Sequence, residues 1–123
     1  MSPHCDPALI QASIELDAIP LPGALTPSEA FAAIAAGARA LKLFPAQATP
    51  PAFVRALRAV LPAEIELYPV GGVGPSDFAT YLEAGVTGFG LGGSLYRPGD
   101  PPERVQERAR EALAAWRRAR ALH

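Results

Sequence analysis

The sequence predicts an α/β fold built from parallel strand–helix units, within a single domain spanning residues 1–123. Three observations predict it. Short apolar runs alternate with segments whose apolar residues recur at helical spacing, and few residues separate one from the next. The helical segments open on a capping residue or a proline, as at Asp6-Pro7, Thr26-Pro27, Pro50-Pro51 and Pro75. The strand-like runs close on chain-breaking residues, as at Pro22-Gly23, Pro45, Gly71-Gly72 and Gly92-Gly93.

Taken in order, Asp6 caps a helix from Pro7 to about Leu16, and Ala18-Ile19-Pro20-Leu21 follows as a short buried strand. Thr26, Pro27 and Glu29 form a capping-box start for a helix that runs through Phe31, Ile34 and Ala35 and stops at Gly37. Ala40 to Phe44 is the next strand. Phe53, Val54, Leu57 and Val60-Leu61 mark a helix opened by Pro50-Pro51, and Ile65 to Val70 is a strand. Pro75-Ser76-Asp77 starts a helix with Phe78, Tyr81 and Leu82 on one side and Gly85 at its end. Gly88 to Leu91 reads as a last strand, and a turn-rich linker over 97–102 leads to a charged helix at about 103–121. Val105, Ala109, Ala112-Leu113 and Trp116 form its expected apolar stripe. A doubly wound sheet and a (β/α)8 barrel both fit this order. Four strands are too few to close a barrel, which needs at least ~200 residues, and Ser2-Pro3 reads as the end of an earlier strand, so the chain is expected to begin mid-fold.

Composition narrows the function classes. Half the residues are hydrophobic and 19% are charged, which is globular rather than disordered. A net charge of −1 gives nucleic acid or an acidic membrane no electrostatic hold. The apolar runs fall short of a bilayer span, and the N-terminus lacks the pattern of a secretion signal, so a cytoplasmic protein is expected. Cys5 is the sole cysteine, which excludes an internal disulfide.

Among the 11 basic residues only Lys42 is a lysine. Arginine cannot replace lysine where a neutral, nucleophilic amine is required, because the guanidinium does not deprotonate. Strand alternation puts Ala40, Lys42 and Phe44 on one face, with Leu41 and Leu43 on the other. In a barrel the leucines would pack under the helices and Lys42 would face inward. Burial disfavours the charged form of an amine, which is the condition for attacking a ketone to form an imine. The competing reading is a rim lysine reaching for water.

The glycine pairs Gly71-Gly72 and Gly92-Gly93-Ser94 end successive strands. Glycine lets a backbone approach a ligand and present successive N–H groups to it. The loops after the last two strands of such barrels commonly hold phosphate, and Ser94 adds a hydroxyl at the start of a short helix. With Lys42 on the preceding strand, these residues point to a phosphorylated carbonyl compound.

Ala40-Leu41-Lys42-Leu43-Phe44-Pro45-Ala46, Tyr68-Pro69-Val70-Gly71-Gly72-Val73 and Gly90-Leu91-Gly92-Gly93-Ser94-Leu95-Tyr96 resemble three strands of the KDPG/KDPGal aldolases. These are class I aldolases that cleave 2-keto-3-deoxy-6-phospho-sugar acids. The likeness runs over nearly the whole chain and includes Pro22-Gly23 and Thr26 to Ala30. Leu95-Tyr96-Arg97-Pro98-Gly99 is similar to the 6-phosphogalactonate branch. The resemblance implies an incomplete TIM-type (β/α)8 barrel, its C-terminal half plus the terminal helix. Lys42 is then the imine-forming lysine, with Phe44 beside the substrate and Gly71, Gly72, Gly92, Gly93 and Ser94 on the phosphate. It implies no metal and no cofactor, since the protonated imine is the electron sink. The implied partners are a phosphorylated keto acid and either further copies of the chain, as in the family trimer, or a complementary N-terminal half.

The departure concerns the acid/base glutamate and a substrate-holding arginine, which the resemblance puts on strands this chain lacks. Glu66 stands toward the other end of its strand, and Glu15, Glu29, Glu64 and Glu83 read as solvated. Val70 stands where the gluconate branch has threonine. His4 and His123 have no carboxylate partner at useful spacing. Cys5 stands beside a helix start, a place that lowers a thiol pKa, but no His–Cys spacing supports nucleophilic work, and the Arg104–Arg120 run reads as a solvated face. A non-catalytic phosphate-binding half-barrel and another phosphate-binding barrel, of the thiamine-phosphate synthase kind, are the alternatives.

Overall fold

The computed structural model describes residues 1–122, so His123 lies outside the described residues. Helices α1 (Pro7–Glu15), α2 (Pro27–Ala35), α3 (Pro51–Arg58), α4 (Phe78–Glu83) and α5 (Pro102–Arg120) alternate with strands β1 (Gly23–Ala24), β2 (Ala40–Leu43) and β3 (Glu66–Pro69). The three strands are parallel and lie in the order β1-β2-β3. This is the α/β architecture expected of repeated strand–helix units.

Local chemistry sets the helix starts. Asp6 Oδ1 accepts the Ala8 N–H at 2.9 Å, and Pro7 begins α1 where a missing N–H costs nothing. At α2 the capping box is complete. Thr26 Oγ1 accepts from Glu29 N–H, and Glu29 Oε2 accepts from Thr26 N–H at 2.8 Å and from Leu25 N–H at 2.9 Å. The Leu25 N–H foremost, then the Thr26 hydroxyl and the Thr26 N–H, hold the Glu29 carboxyl below the usual range. Pro75–Asp77 forms a single 3-10 turn rather than the first turn of α4, with Asp77 Oδ2 accepting the Gly74 N–H at 2.8 Å.

The core lies between β2–β3 and helices α2, α3 and α4. Leu41, Leu43, Leu67 and Val54 have no solvent-exposed surface, which is the outward packing that strand alternation requires of both leucines of β2. Tyr81 on α4 is buried, and its hydroxyl donates to the carbonyls of Ala46 (3.0 Å) and Thr49 (3.2 Å), pinning the loop that leaves β2.

Four expectations are corrected. Ala18 to Leu21 is not a strand: Ile19 is 87% exposed, and pairing starts only at Gly23. Pro20 and Pro22 remove two donors from this stretch, and Leu21 O and Pro22 O instead accept from Ser2 N–H (3.2 Å) and Lys42 N–H (2.8 Å). Gly88 to Leu91 is reduced to a single parallel bridge, Val70 to Gly90. On this side of β3 the donors come from Leu67 and the Pro69 position, and Pro69 has no N–H to give. On α5 the fully buried line is Ala112, Ala115 and Ala119, whereas Leu113 is 55% exposed. The Ala109–Leu113–Trp116 line fronts an open apolar groove of about 310 Å³, whose far wall includes Phe78, Phe89 and Leu91. Phe78 stacks on Phe89 at 4.3 Å between ring centroids, and Trp116 meets Phe89 edge-on at 5.9 Å. Finally, the Cys5 thiol pKa is raised, by burial first and then by Glu29 and Asp6. Asp6 satisfies the start of α1, so the helix end offers the thiolate nothing while the carboxylates oppose it.

Candidate active site

Register lines up Gly23, Lys42 and Tyr68 across the sheet. Gly23 is required there by the backbone: a Cβ would run into the Pro3 carbonyl, so the N-terminal segment lies directly against β1. Lys42 is 8% exposed, and its Nζ stands 4.1 Å from the centroid of the Phe44 ring. The face that carries Lys42 is opposite to the one buried by Leu41 and Leu43, as alternation demands. The amine is therefore held by its own strand and by an aromatic ring two residues on.

Tyr68, the neighbour of Lys42 on β3, donates its hydroxyl to Glu66 Oε2 at 2.7 Å. That bond, then burial and the Glu66 charge, push the phenol pKa up, so Tyr68 stays a donor. Glu66 pairs in register with Ala40, one step of alternation below Lys42. Its carboxylate is exposed and committed to Tyr68, at the end of the strand away from the glycine turns.

Phe44, Gly71, Gly72, Gly92, Gly93 and Ser94 all line one cavity of about 440 Å³, with Val70, Val73 and Arg97. Lys42 is not on its wall but touches it through the ring of Phe44. The two glycine turns differ. Gly71 and Gly72 have φ of +94° and +76°, and a Cβ would press on the Phe44 ring or the Gln47 amide respectively. Gly92 and Gly93 have open space around them. The expected short helix at Ser94 is a turn, closed by Leu95 and Tyr96 N–H to Gly92 O at 2.9 and 3.0 Å. Ser94 Oγ donates to Val73 O at 3.1 Å, which ties the two turns together and leaves its oxygen to accept rather than donate. Among the described residues, the N–H groups of Gly72, Val73, Gly92, Gly93 and Ser94 donate to no protein acceptor. Buried or ligand-facing N–H groups without partners are what an anion needs.

Arg97 is the charged residue on this wall, and chemistry-bearing residue types alone do not single it out. Its signal in the sequence is position: it follows the second glycine turn by four residues. Arg97 Nε donates to Gly93 O at 3.2 Å, and its backbone N–H donates to Asp100 Oδ2 at 2.8 Å. Arg108 of α5 reaches the same carboxylate oxygen at 2.5 Å and Leu95 O at 3.4 Å. This contact with Arg108 is the main reason the Asp100 carboxyl is held below its ordinary range. Arg108 is thus an exception to the solvated arginine face that the sequence suggests for α5, whereas Arg104 keeps to it, 4.0 Å from Glu107 with both side chains exposed.

Residues 1–104 match the sequence profile of a family described as KDPG and KHG aldolase. The chain is 46% identical over 116 residues to a probable 2-dehydro-3-deoxy-6-phosphogalactonate aldolase of Rhizobium meliloti, covering 94% of this chain and 55% of that protein. It is 40% identical over 119 residues to the 2-dehydro-3-deoxy-6-phosphogalactonate aldolase of Escherichia coli, covering 97% and 58% respectively. A solved structure described as native KDPGal superposes with a TM-score of 0.93 at 41% identity, covering 95% of this chain and 57% of that one. The chain therefore spans a little over half the length of the curated relatives it matches.

Proposed function

Because the chain belongs to the KDPG and KHG aldolase family, we propose that it carries the imine-forming and phosphate-holding parts of a 2-dehydro-3-deoxy-6-phosphogalactonate aldolase. The observation that carries this reading is one arrangement: the chain's lone lysine, buried against Phe44, beside a cavity edged by unpaired backbone N–H groups. Lys42 Nζ attacks the C2 ketone, and loss of water gives the protonated imine. The imine accepts the electron pair of the C3–C4 bond when the C4 hydroxyl loses its proton, releasing D-glyceraldehyde 3-phosphate. The resulting enamine takes a proton at C3, and water frees pyruvate from Lys42. Phe44 walls the carbon chain, and the turns at Gly71-Gly72 and Gly92-Gly93-Ser94 hold the phosphate. No metal or cofactor takes part.

The proton steps need a base, and no carboxylate lines the cavity among the described residues. Glu66 is engaged by Tyr68 below the amine. General acid–base catalysis contributes ~10²–10⁴ in rate, so this chain by itself turns over slowly. The N-terminal segment at Ser2-Pro3, which edges the sheet beyond β1, the single bridge at Gly90 and the apolar groove beneath α5 favour association, either with further copies or with a complementary N-terminal half.

The test is a coupled pyruvate-release assay on the 123-residue chain with the phosphogalactonate substrate. Slow release that Lys42→Arg abolishes is expected, with a rise in rate when the N-terminal half of a relative is supplied. Release that persists in Lys42→Arg contradicts the assignment.

A further inference from the structure

We propose that Arg97 supplies the full positive charge for the substrate phosphate, and so selects phosphorylated over unphosphorylated keto acids. The inference rests on the phosphate reading of the glycine turns and deepens it. A phosphate monoester carries about −1.5 to −2 charges at neutral pH. Backbone N–H groups meet it with partial charges only. The proton of Ser94 is already given to Val73 O. Every other residue on the cavity wall is uncharged, and Lys42 lies beyond the Phe44 ring.

Arg97 has the chemistry and the freedom for this role. Its Nε is fixed on Gly93 O, one residue from the donors of Gly92 and Ser94, which orients the planar group while leaving both Nη atoms available. Two N–H groups of a guanidinium match two phosphate oxygens in a fork that lysine cannot reproduce. The ion pairs among the described residues are Arg104 with Glu107 and Arg108 with Asp100, so no carboxylate takes the Arg97 guanidinium within 4.0 Å. Asp100 is near enough to feel its charge but is occupied by Arg108. The cluster of Arg97, Asp100 and Arg108 thus leaves one net positive charge at the mouth. The same bonds tether the Arg97 backbone to α5, so the charge is presented from a fixed loop rather than a waving side chain.

The test is titration of inorganic phosphate, then of glyceraldehyde 3-phosphate, into the full chain at two salt concentrations, followed by calorimetry. Arg97→Ala weakens both by roughly ten- to hundredfold, the loss of a charge-assisted bond, and flattens the salt dependence. Arg97→Lys recovers part of the affinity. Thermal melting of each variant is measured alongside. Gly92→Ala, which meets no protein atom, serves as the control on the phosphate reading itself. If Gly92→Ala weakens binding and Arg97→Ala does not, the role of Arg97 is wrong while the phosphate site stands. If neither variant changes affinity, or the parent chain binds no phosphate, both readings fall. If Arg97→Lys loses as much as Arg97→Ala at an unchanged melting temperature, Arg97 acts through its Gly93 contact and the charge proposal is overturned.

Discussion

At one end of the site Lys42 sits on a strand whose four residues are all buried, with parallel neighbours on both sides and an aromatic ring over its amine. At the other end Gly92 and Gly93 are exposed and touch nothing that an added methyl group would meet. Gly71-Gly72 stands between these extremes, exposed in part yet conformationally committed by positive φ and by Phe44 and Gln47. The difference separates what the fold demands from what a ligand demands. Residues near Lys42 are constrained by packing, so their replacement lowers stability whether or not substrate binds. At Gly92 and Gly93 an added side chain meets no protein atom, so their replacement registers in binding.

The largest effect is expected under the amine. Leu67→Ala, which empties a fully buried position beside Leu41, lowers unfolding free energy by about 2–5 kcal/mol in a urea titration. Gly72→Ala is intermediate. It forces a left-handed backbone onto alanine and pushes the methyl group into the Gln47 amide, costing about 1–3 kcal/mol and weakening phosphate binding with it. Thr26→Ala, remote from the site, removes one half of the α2 capping box and costs about 1 kcal/mol. Its partner gives a pH signature. The Glu29 carboxyl is lowered in the folded state, so its contribution is complete above the unfolded carboxylate range and disappears as pH falls through the depressed folded value. The difference in melting temperature between the parent chain and Glu29→Gln is therefore expected at neutral pH and absent in strong acid. Gly93→Ala is the smallest in stability, within about 0.5 kcal/mol, yet weakens phosphate binding. A Gly93→Ala variant that melts early but binds normally would erase the contrast between the two turns.

The sequence made the buried end legible because periodicity and capping are local. Leu41 and Leu43 pack into the core while Lys42 is buried against Phe44 on the other face, as strand alternation announces, and Thr26 with Glu29 forms the box their spacing announces. Six proposed site residues, Phe44 and the two glycine turns with Ser94, share one cavity. What was not legible depends on partners distant in sequence. The Gly88 to Leu91 strand shrinks because Pro69, some twenty residues earlier, lacks a donor. Leu113 fails to bury because nothing among the described residues covers the groove it faces. Arg97 joins the cavity because Arg108, about two turns into α5, holds Asp100. The Cys5 thiol is pushed up rather than down because Asp6 reaches the helix start first.

The claim on which the rest depends is that Lys42 is the reacting amine. Incubating the chain with pyruvate and borohydride, then mapping the adduct by mass spectrometry, tests it most directly. The account predicts one reduced adduct, on the peptide containing Lys42, absent from Lys42→Arg despite its retained charge. Modification confined to the N-terminal amine, with Lys42 untouched, would contradict it.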